Sequence, residues 1–178
     1  MARIVVIYCS VSGFTKKYAE WIAGELTADF CNARKMDVKK LLAYDIIIFG
    51  GSLHAVGING VRIIKENLPV LAEKKIVVFA VGASPPSEGI IEEINKQNFP
   101  EQLDNLKLFY LRGGFDFYKL DSKNKLLMTL YKAKLKAKKD KTAEEDGMLA
   151  AYDTPLDCTS RENISELVVY VKALLSQA

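Results

Sequence analysis

The 178-residue sequence has few of the residues that build metal sites and disulfide frameworks. It contains one histidine and three cysteines, and Cys9, Cys31 and Cys158 lie far apart without CxxC spacing. These features argue against a disulfide scaffold and against a cysteine metal site. We therefore predict no bound metal and a reducing, cytoplasmic environment.

Long apolar runs are also missing. No segment approaches the roughly 18 apolar residues that span a bilayer. Near the N-terminus only residues 4–8 are strongly apolar before polar residues follow, so we expect no secretory signal. Apolar residues make up 49% of the chain and charged residues 26%, which is typical of a folded, soluble protein. The length suits one domain over residues 1–178.

Excess charge of one sign is confined to one segment. The net formal charge is only +3, yet residues 119–141 hold nine lysines against Asp121 and Asp140. The rest of the chain is therefore acidic. This distribution favours a local docking surface, and we expect no nucleic-acid partner.

Four apolar, β-branched runs have the length of strands that are buried on both faces, as in a parallel sheet. These runs are residues 4–8, 46–49, 76–81 and 106–111, and a weaker strand is predicted at residues 31–38. Helical periodicity begins near Tyr18, Val61, Ile90 and Ile164. The alternation predicts an α/β fold, a doubly wound five-stranded parallel sheet in the order 2-1-3-4-5 with helices on both faces. Thr159 and Glu162 are expected to cap the last helix.

Between Gly113 and Asp157 the chain is much longer than a connection to the last helix requires. We predict a helical insertion after strand 5, at about residues 115–157, with a lysine-rich helix over residues 121–138 and an acidic turn at 144–147. One side of that helix is expected to carry Leu126, Leu127, Leu130, Tyr131 and Leu135.

A hydroxyl-rich loop follows the first predicted strand, with the sequence Ser10-Val11-Ser12-Gly13-Phe14-Thr15. Its hydroxyls can donate hydrogen bonds, Gly13 allows the backbone a close approach, and the start of the next helix favours an anion. In a sheet of this order the loop lies at the topological switch point, together with residues 51–60, and residues 84–89 lie on the same rim. The pattern predicts a phosphate site; a simple helix-capping turn is the alternative.

Other phosphate chemistries require residues that are absent. The Walker pattern GxxxxGK[ST] and the dinucleotide pattern GxGxxG do not occur. Cys9 has the position of a phosphatase nucleophile, but Thr15 stands where that chemistry needs an arginine. Receiver domains need clustered carboxylates, whereas the relevant strands end in Tyr8-Cys9 and Phe49-Gly50-Gly51. We interpret Cys9 as a buried small residue and the loop as one that holds a phosphate.

With these residues the chain resembles the flavodoxin family, whose phosphate loop reads [ST]-x-[ST]-G-x-T. The resemblance covers nearly the whole chain and implies FMN, with its phosphate in the loop from Ser10 to Thr15 and its ring between the next two loops. The residues assigned to the ring are Ser52, Leu53, His54, Ala55, Gly57, Ala83, Ser84, Pro85 and Pro86. Neither ring loop supplies the aromatic residues that commonly stack on the ring in electron-carrying flavodoxins.

The insertion makes the chain look like the menaquinone-dependent protoporphyrinogen oxidases, which are flavodoxin-fold enzymes with a long insertion at a similar place. That likeness implies an FMN-dependent oxidoreductase that oxidises protoporphyrinogen or a similar reduced substrate with a quinone acceptor. It also implies that helix 121–138 lies on an anionic membrane surface. Alternatively, its leucines pack on the domain while its lysines are solvated.

Two other functions remain open at this point. One is a non-enzymatic electron-transfer protein whose basic helix docks an acidic redox partner. The other is a regulatory module that kept the fold and lost the flavin.

Two further residues are candidates for chemistry. His54, the only histidine, lies in the first ring loop, where it can hydrogen-bond the flavin edge or move a proton; an exposed loop position is the alternative. Arg112 ends the last predicted strand, and with Phe115 and Tyr118 it is a candidate for contact with a substrate carboxylate or ring.

Overall fold

A computed structural model describes residues 2–99 and 103–176, and its centre is a parallel sheet. The first six strands are β1 (Ile4–Cys9), β2 (Asp29–Asn32), β3 (Ile46–His54), β4 (Gly57–Ile58), β5 (Lys75–Gly82) and β6 (Leu106–Arg112). Five of them are parallel, in the order β2-β1-β3-β5-β6, while β4 pairs antiparallel with the end of β3. The predicted fold class and strand order are confirmed.

In residues 2–99 and 103–176, seven α-helices accompany the sheet. They are α1 (Phe14–Leu26), α2 (Val38–Leu41), α3 (Arg62–Lys65), α4 (Ile90–Asn98), α5 (Ser122–Ala137), α6 (Ala143–Ala151) and α7 (Ser165–Ser176). Alternate strand residues point to opposite faces, so the sheet has two cores. Val6 and Phe79 pack with α1 and α7 on one face, and Phe49 and Val78 pack with α3 and α4 on the other.

Two strands differ from the prediction. The weak strand predicted at residues 31–38 begins earlier, at Asp29, and ends at Asn32, whose side chain accepts a hydrogen bond from the Arg34 N–H and starts a 3₁₀ turn. The strand predicted at 46–49 continues to His54, so residues 51–60 are not a simple loop. They form a tight hairpin in which Leu53 lies opposite Ile58.

Three helical predictions also need correction. The helix that starts near Val61 is a single turn, α3. Residues 144–147 belong to α6 rather than to a turn, because Thr142 and Glu145 form a capping box at its start. Thr159 does not cap the last helix; the Ser160 hydroxyl accepts from the Glu162 N–H, at the start of a 3₁₀ turn that leads into α7.

The insertion has a small core of its own. Strands β7 (Gly114–Phe115) and β8 (Leu156–Asp157) pair antiparallel at its base. Between them, α5 and α6 enclose Phe115, Ala151 and Tyr152, against which Met128, Met148 and Ala83 also pack. Ala83 follows β5, so the insertion is packed onto the sheet edge that carries the predicted ring loops. In the described ranges, no helix is both long and apolar enough to cross a membrane.

Candidate functional site

A cavity of about 540 Å³ lies at the carboxyl end of the parallel strands. Four segments enclose it: the loop after β1, the hairpin after β3, the end of β5 and the insertion. The volume falls within the range of roughly 300–1,000 Å³ that is usual for sites of small ligands and cofactors. Among the described residues that line it, His54 and Tyr131 are the only ones with a titratable side chain.

The loop after β1 has the geometry of an anion site. The Ser10 hydroxyl accepts a hydrogen bond of 3.1 Å from the Gly13 N–H, which closes the loop on itself. Gly13 has a φ of 98°, in the left-handed region, and a side chain there would be strained. The first helical hydrogen bond of α1 runs from the Lys17 N–H to the Gly13 carbonyl, at 3.0 Å. The N–H groups just before Lys17 therefore have no partner inside the helix.

The side chains around this loop give it further support. Thr15 is 1% exposed, so its side chain is buried, and it lines the cavity. Phe14 is also buried, and its ring lies against Gly114 at the base of the insertion. The Lys17 ammonium lies 2.9 Å from the Asp157 carboxylate of β8. This ion pair connects the first turn of α1 to the insertion.

The pKa of Asp157 reflects its partners. Burial raises it, but hydrogen bonds from Thr159 and Lys17 outweigh that effect, and the net pKa is lower than usual. The carboxylate is therefore ionised near neutral pH. Because Asp157 neutralises Lys17, the favourable field at the loop comes from the helix N–H groups.

The hairpin after β3 is held by an asparagine from another element. The Asn98 side chain is buried in α4; its Oδ1 accepts from the Ile58 N–H at 3.0 Å, and its Nδ2 donates to the Val56 carbonyl at 2.7 Å. The same Nδ2 lies 2.7 Å from the Ile94 carbonyl. One amide side chain of α4 thus fixes the backbone of the hairpin.

The tip of this hairpin is a two-residue turn, Ala55-Val56, between the paired residues His54 and Gly57. Ala55 has a φ of 52°, in the left-handed region that favours glycine. Within the hairpin, the Asn59 side chain donates to the Ser52 hydroxyl at 2.9 Å. The turn is therefore constrained at its tip and at both strands.

The insertion forms an apolar wall of the cavity. Leu127, Met128 and Tyr131 of α5 and Met148 of α6 line it, together with Phe115 of β7. Tyr152 supports this wall from behind, because its hydroxyl donates to the Met128 carbonyl at 2.6 Å. Burial raises the pKa of Tyr152 to about 12, so the hydroxyl stays a donor over the physiological pH range.

The structure brings many of the predicted cofactor residues to one cavity. The lining includes Val11, Ser12, Phe14, Thr15, Ser52, Leu53, His54, Ala55 and Ala83. Ser10 and Gly13 shape the same loop through their mutual hydrogen bond, and Gly57 pairs with His54 in the hairpin. The His54 side chain is exposed at the rim.

Other predicted residues lie elsewhere. Ser84, Pro85 and Pro86 are exposed and do not line the cavity. Arg112 does not line it either, and its buried Nε has no hydrogen-bond acceptor in the described part of the chain.

The two other candidates for substrate contact, Phe115 and Tyr118, lie in different places. Phe115 lines the cavity, whereas Tyr118 is 67% exposed and does not line it.

Sequence reasoning missed the insertion wall and Asn98. Leu127, Met128 and Tyr131 could have been found from the apolar side of α5, but their position over the cavity depends on long-range packing. Asn98 gives no local signal, because a lone asparagine in a helix has no motif. Residues 2–99 and 103–176 contain no group of three histidine, cysteine, aspartate or glutamate side chains arranged to hold a metal ion.

Comparison with known proteins identifies the family. Residues 5–142 match the family model described as the flavodoxin domain, which covers well over half of the chain. The chain belongs to the flavodoxin-domain family. The match includes the loop after β1, the hairpin, the end of β5 and the whole of α5. No curated protein matches at a significant level.

Solved structures similar to this flavodoxin-domain protein share low sequence identity with it. A putative flavoprotein from Bacteroides eggerthii is 18% identical, with a TM-score of 0.47, over 74% of this chain and 97% of that one. Oxidised flavodoxin 2 from Bacillus cereus is 24% identical, with a TM-score of 0.42, over 75% of this chain and 99% of that one. A flavoprotein in complex with FMN from Lactobacillus acidophilus is 16% identical, with a TM-score of 0.41, over 63% and 93%.

Proposed function

We propose that this chain binds FMN in the cavity and serves as an oxidoreductase for a bulky reduced substrate, with a quinone as acceptor. The observation that carries the proposal is the continuity of one cavity from the anion-binding loop after β1 to the apolar wall of the insertion. Flavodoxin-domain membership supports FMN as the group at the loop end.

The residues present fit this cofactor. The hydroxyls of Ser10 and Ser12 and the free N–H groups at the start of α1 suit a phosphate, which needs hydrogen-bond donors more than a cation. The hairpin from Ser52 to Gly57 and Ala83 at the end of β5 suit the ring. When bound, FMN supplies the redox chemistry, since it can take an electron pair from a substrate and pass it to an acceptor.

The chain's own residues exclude water and orient the ligands. Asn98 holds the hairpin backbone, so the residues at the ring position stay fixed. Leu127, Met128 and Tyr131 keep the far end of the cavity apolar. His54 lies at the rim and can hold or transfer a proton at Nδ1 or Nε2.

The apolar wall favours an enzyme over a simple carrier. A carrier exposes the edge of its cofactor to a partner protein, whereas here a packed insertion covers the space beside the ring loops. The described lining has no lysine, arginine, aspartate or glutamate, which suits a large, apolar ring system. The tetrapyrrole ring of protoporphyrinogen and the ring of a quinone such as menaquinone fit that description.

Turnover with defined substrates tests the enzyme proposal. FMN-loaded protein is mixed with protoporphyrinogen and a menaquinone analogue, and porphyrin fluorescence is followed without oxygen. We expect turnover that falls on the order of tenfold or more in His54→Gln, with FMN still bound. Reversible reduction of the bound flavin without turnover on these substrates would instead support an electron carrier.

A further inference from the structure

Helix α5 has an apolar surface that faces away from the protein. Leu135 is 3% exposed and packs inward, whereas Leu126 and Leu130 are 65% and 61% exposed. At about 100° per residue, Leu126, Leu130, Ala133 and Ala137 fall within roughly 60° of arc, centred opposite Met128 and Leu135. The stripe therefore points directly away from the small core of the insertion.

Lysines border this stripe on both sides. By the same helical spacing, Lys123 and Lys134 lie next to the stripe on one side, and Lys125 and Lys136 lie beyond Ser122 and Thr129 on the other. None of these four forms an ion pair with a described residue, while Lys132 and Lys138 are paired with Asp153 and Glu145. We call the four apolar residues and the four bordering lysines the α5 outer face.

This arrangement matches the chemistry of an anionic bilayer surface. Lysine stems lie along apolar surface while their ammonium groups reach outward, so lysines on both edges can contact lipid phosphates as the leucines enter the acyl boundary. Anionic lipids attract clustered lysines of this kind. An acidic partner protein would satisfy the lysines but would leave the apolar stripe between them unexplained.

We propose that the α5 outer face docks the protein on the surface of an anionic membrane. Leu127 and Tyr131 lie beside this face, are 43% and 41% exposed, and also line the cavity. Leu127 and Leu130 are three residues apart on the helix, so a strip of apolar surface runs between Lys123 and Lys134 from the docking face to the cavity. A further consequence rests on the proposed function. An acceptor that is dissolved in the lipid can reach the cavity along that strip.

Vesicle sedimentation tests the docking. Protein without added FMN is mixed with vesicles of phosphatidylcholine alone or with about 30% phosphatidylserine, which makes the assay independent of the flavin. We expect binding only to the anionic vesicles. We expect at least a tenfold loss of partitioning in the double variant L126S/L130S, and a similar loss when Lys123, Lys125, Lys134 and Lys136 are changed to glutamine.

Matched variants control for general effects of charge and exposure. Val70 and Val169 are 55% and 67% exposed on other parts of the surface, and V70S/V169S is expected to bind as the unchanged protein does. Changing Lys39, Lys65, Lys96 and Lys107 to glutamine removes equal charge elsewhere and is expected to have a much smaller effect. Circular dichroism confirms that each variant is folded.

Several results would overturn the proposal. One is no binding of the unchanged protein to anionic vesicles. Another is undiminished binding of L126S/L130S to the anionic vesicles. That result would mean that charge alone causes the binding, and it would favour an acidic partner protein for this face. Self-association that disappears in L126S/L130S, without vesicle binding, would assign the face to a second copy of the chain.

Discussion

Asn98 shows how a single buried side chain can hold the backbone of a hairpin. It satisfies the Ile58 N–H and the Val56 carbonyl at once, and neither group has an alternative partner within the strand pairing of the hairpin. Because Ala55 in the same turn has a left-handed backbone, the hairpin depends on outside contacts to keep its shape.

Asn98→Ala is therefore expected to lower the free energy of unfolding by about 1–3 kcal/mol, the cost of leaving buried backbone groups without partners. FMN affinity is expected to fall as well, because the ring loop loses its fixed position. Urea denaturation and fluorescence titration with FMN measure the two effects. Asn67→Ala is the control, since the Asn67 side chain donates only to the Ile63 carbonyl one turn away. Equal effects of the two substitutions would contradict the role of Asn98.

The ionised carboxylate of Asp157 leads to a prediction about how stability depends on pH. Its pKa is lowered in the folded protein, so its contribution to stability is complete above the unfolded value of about 3.9 and is lost as the pH falls through the folded-state pKa. Asp157→Asn should therefore be less stable than the unchanged protein near neutral pH and should lose less stability on acidification. Thermal unfolding between about pH 2.5 and pH 7 measures this.

Asp140→Asn provides the comparison for Asp157, because Asp140 is exposed and forms no ion pair in the described part of the chain. The thermal stability of Asp140→Asn should depend on pH as that of the unchanged protein does. Identical profiles for all three proteins would show that the ion pair between Lys17 and Asp157 does not couple α1 to the insertion.

At the scale of elements, the helices and strands that depend on residues close in sequence could be predicted, and those that depend on distant contacts could not. β1, α1 and the loop between them could be predicted, because strand periodicity, hydroxyl residues and Gly13 all lie within a few positions. The extension of β3 to His54 could not, since Gly50 and Gly51 weaken a strand locally. Pairing with β5, in which Ser52 lies opposite Val81, extends the strand.

Only part of the insertion could be predicted from the sequence. Its extent and its lysine-rich helix could be predicted, but the outward stripe of α5 and its cavity-facing edge could not. Which leucines are buried depends on where α6 and Tyr152 lie, and those contacts are distant in sequence.

The small core of the insertion is expected to unfold locally when its centre is removed. Tyr152 is 2% exposed and contacts Phe115 with ring centroids 5.0 Å apart. Tyr152→Ala should cost about 3–5 kcal/mol in that core. Hydrogen exchange in residues 115–157 should rise on the order of 100-fold while β1, β3 and β5 remain protected.

Tyr152→Phe separates packing from hydrogen bonding in this experiment. It keeps the ring and removes only the bond to the Met128 carbonyl, so we expect a loss of about 1 kcal/mol. Exchange that rises equally across the sheet in Tyr152→Ala would contradict an insertion with its own core.

On the scale of the whole molecule, the fold brings the loop after β1 and the apolar wall of the insertion to one cavity. The parallel sheet supplies the loop and the hairpin at the carboxyl ends of its strands, and the insertion supplies the wall. The match to the flavodoxin-domain model includes the loop, the hairpin and helix α5 of the insertion.

The central claim is that the loop from Ser10 to Thr15 holds the phosphate of FMN. The most direct test compares the dissociation constants of FMN and riboflavin, which differ only in that phosphate, for the unchanged protein and for Ser12→Asp, with Ser87→Asp in an exposed loop as control. We predict that FMN binds at least about 100-fold more tightly than riboflavin, because two charge-assisted hydrogen bonds contribute roughly 3 kcal/mol or more. Ser12→Asp should remove most of this preference, and Ser87→Asp should not. Equal affinity for FMN and riboflavin, or no binding of either, would contradict the account.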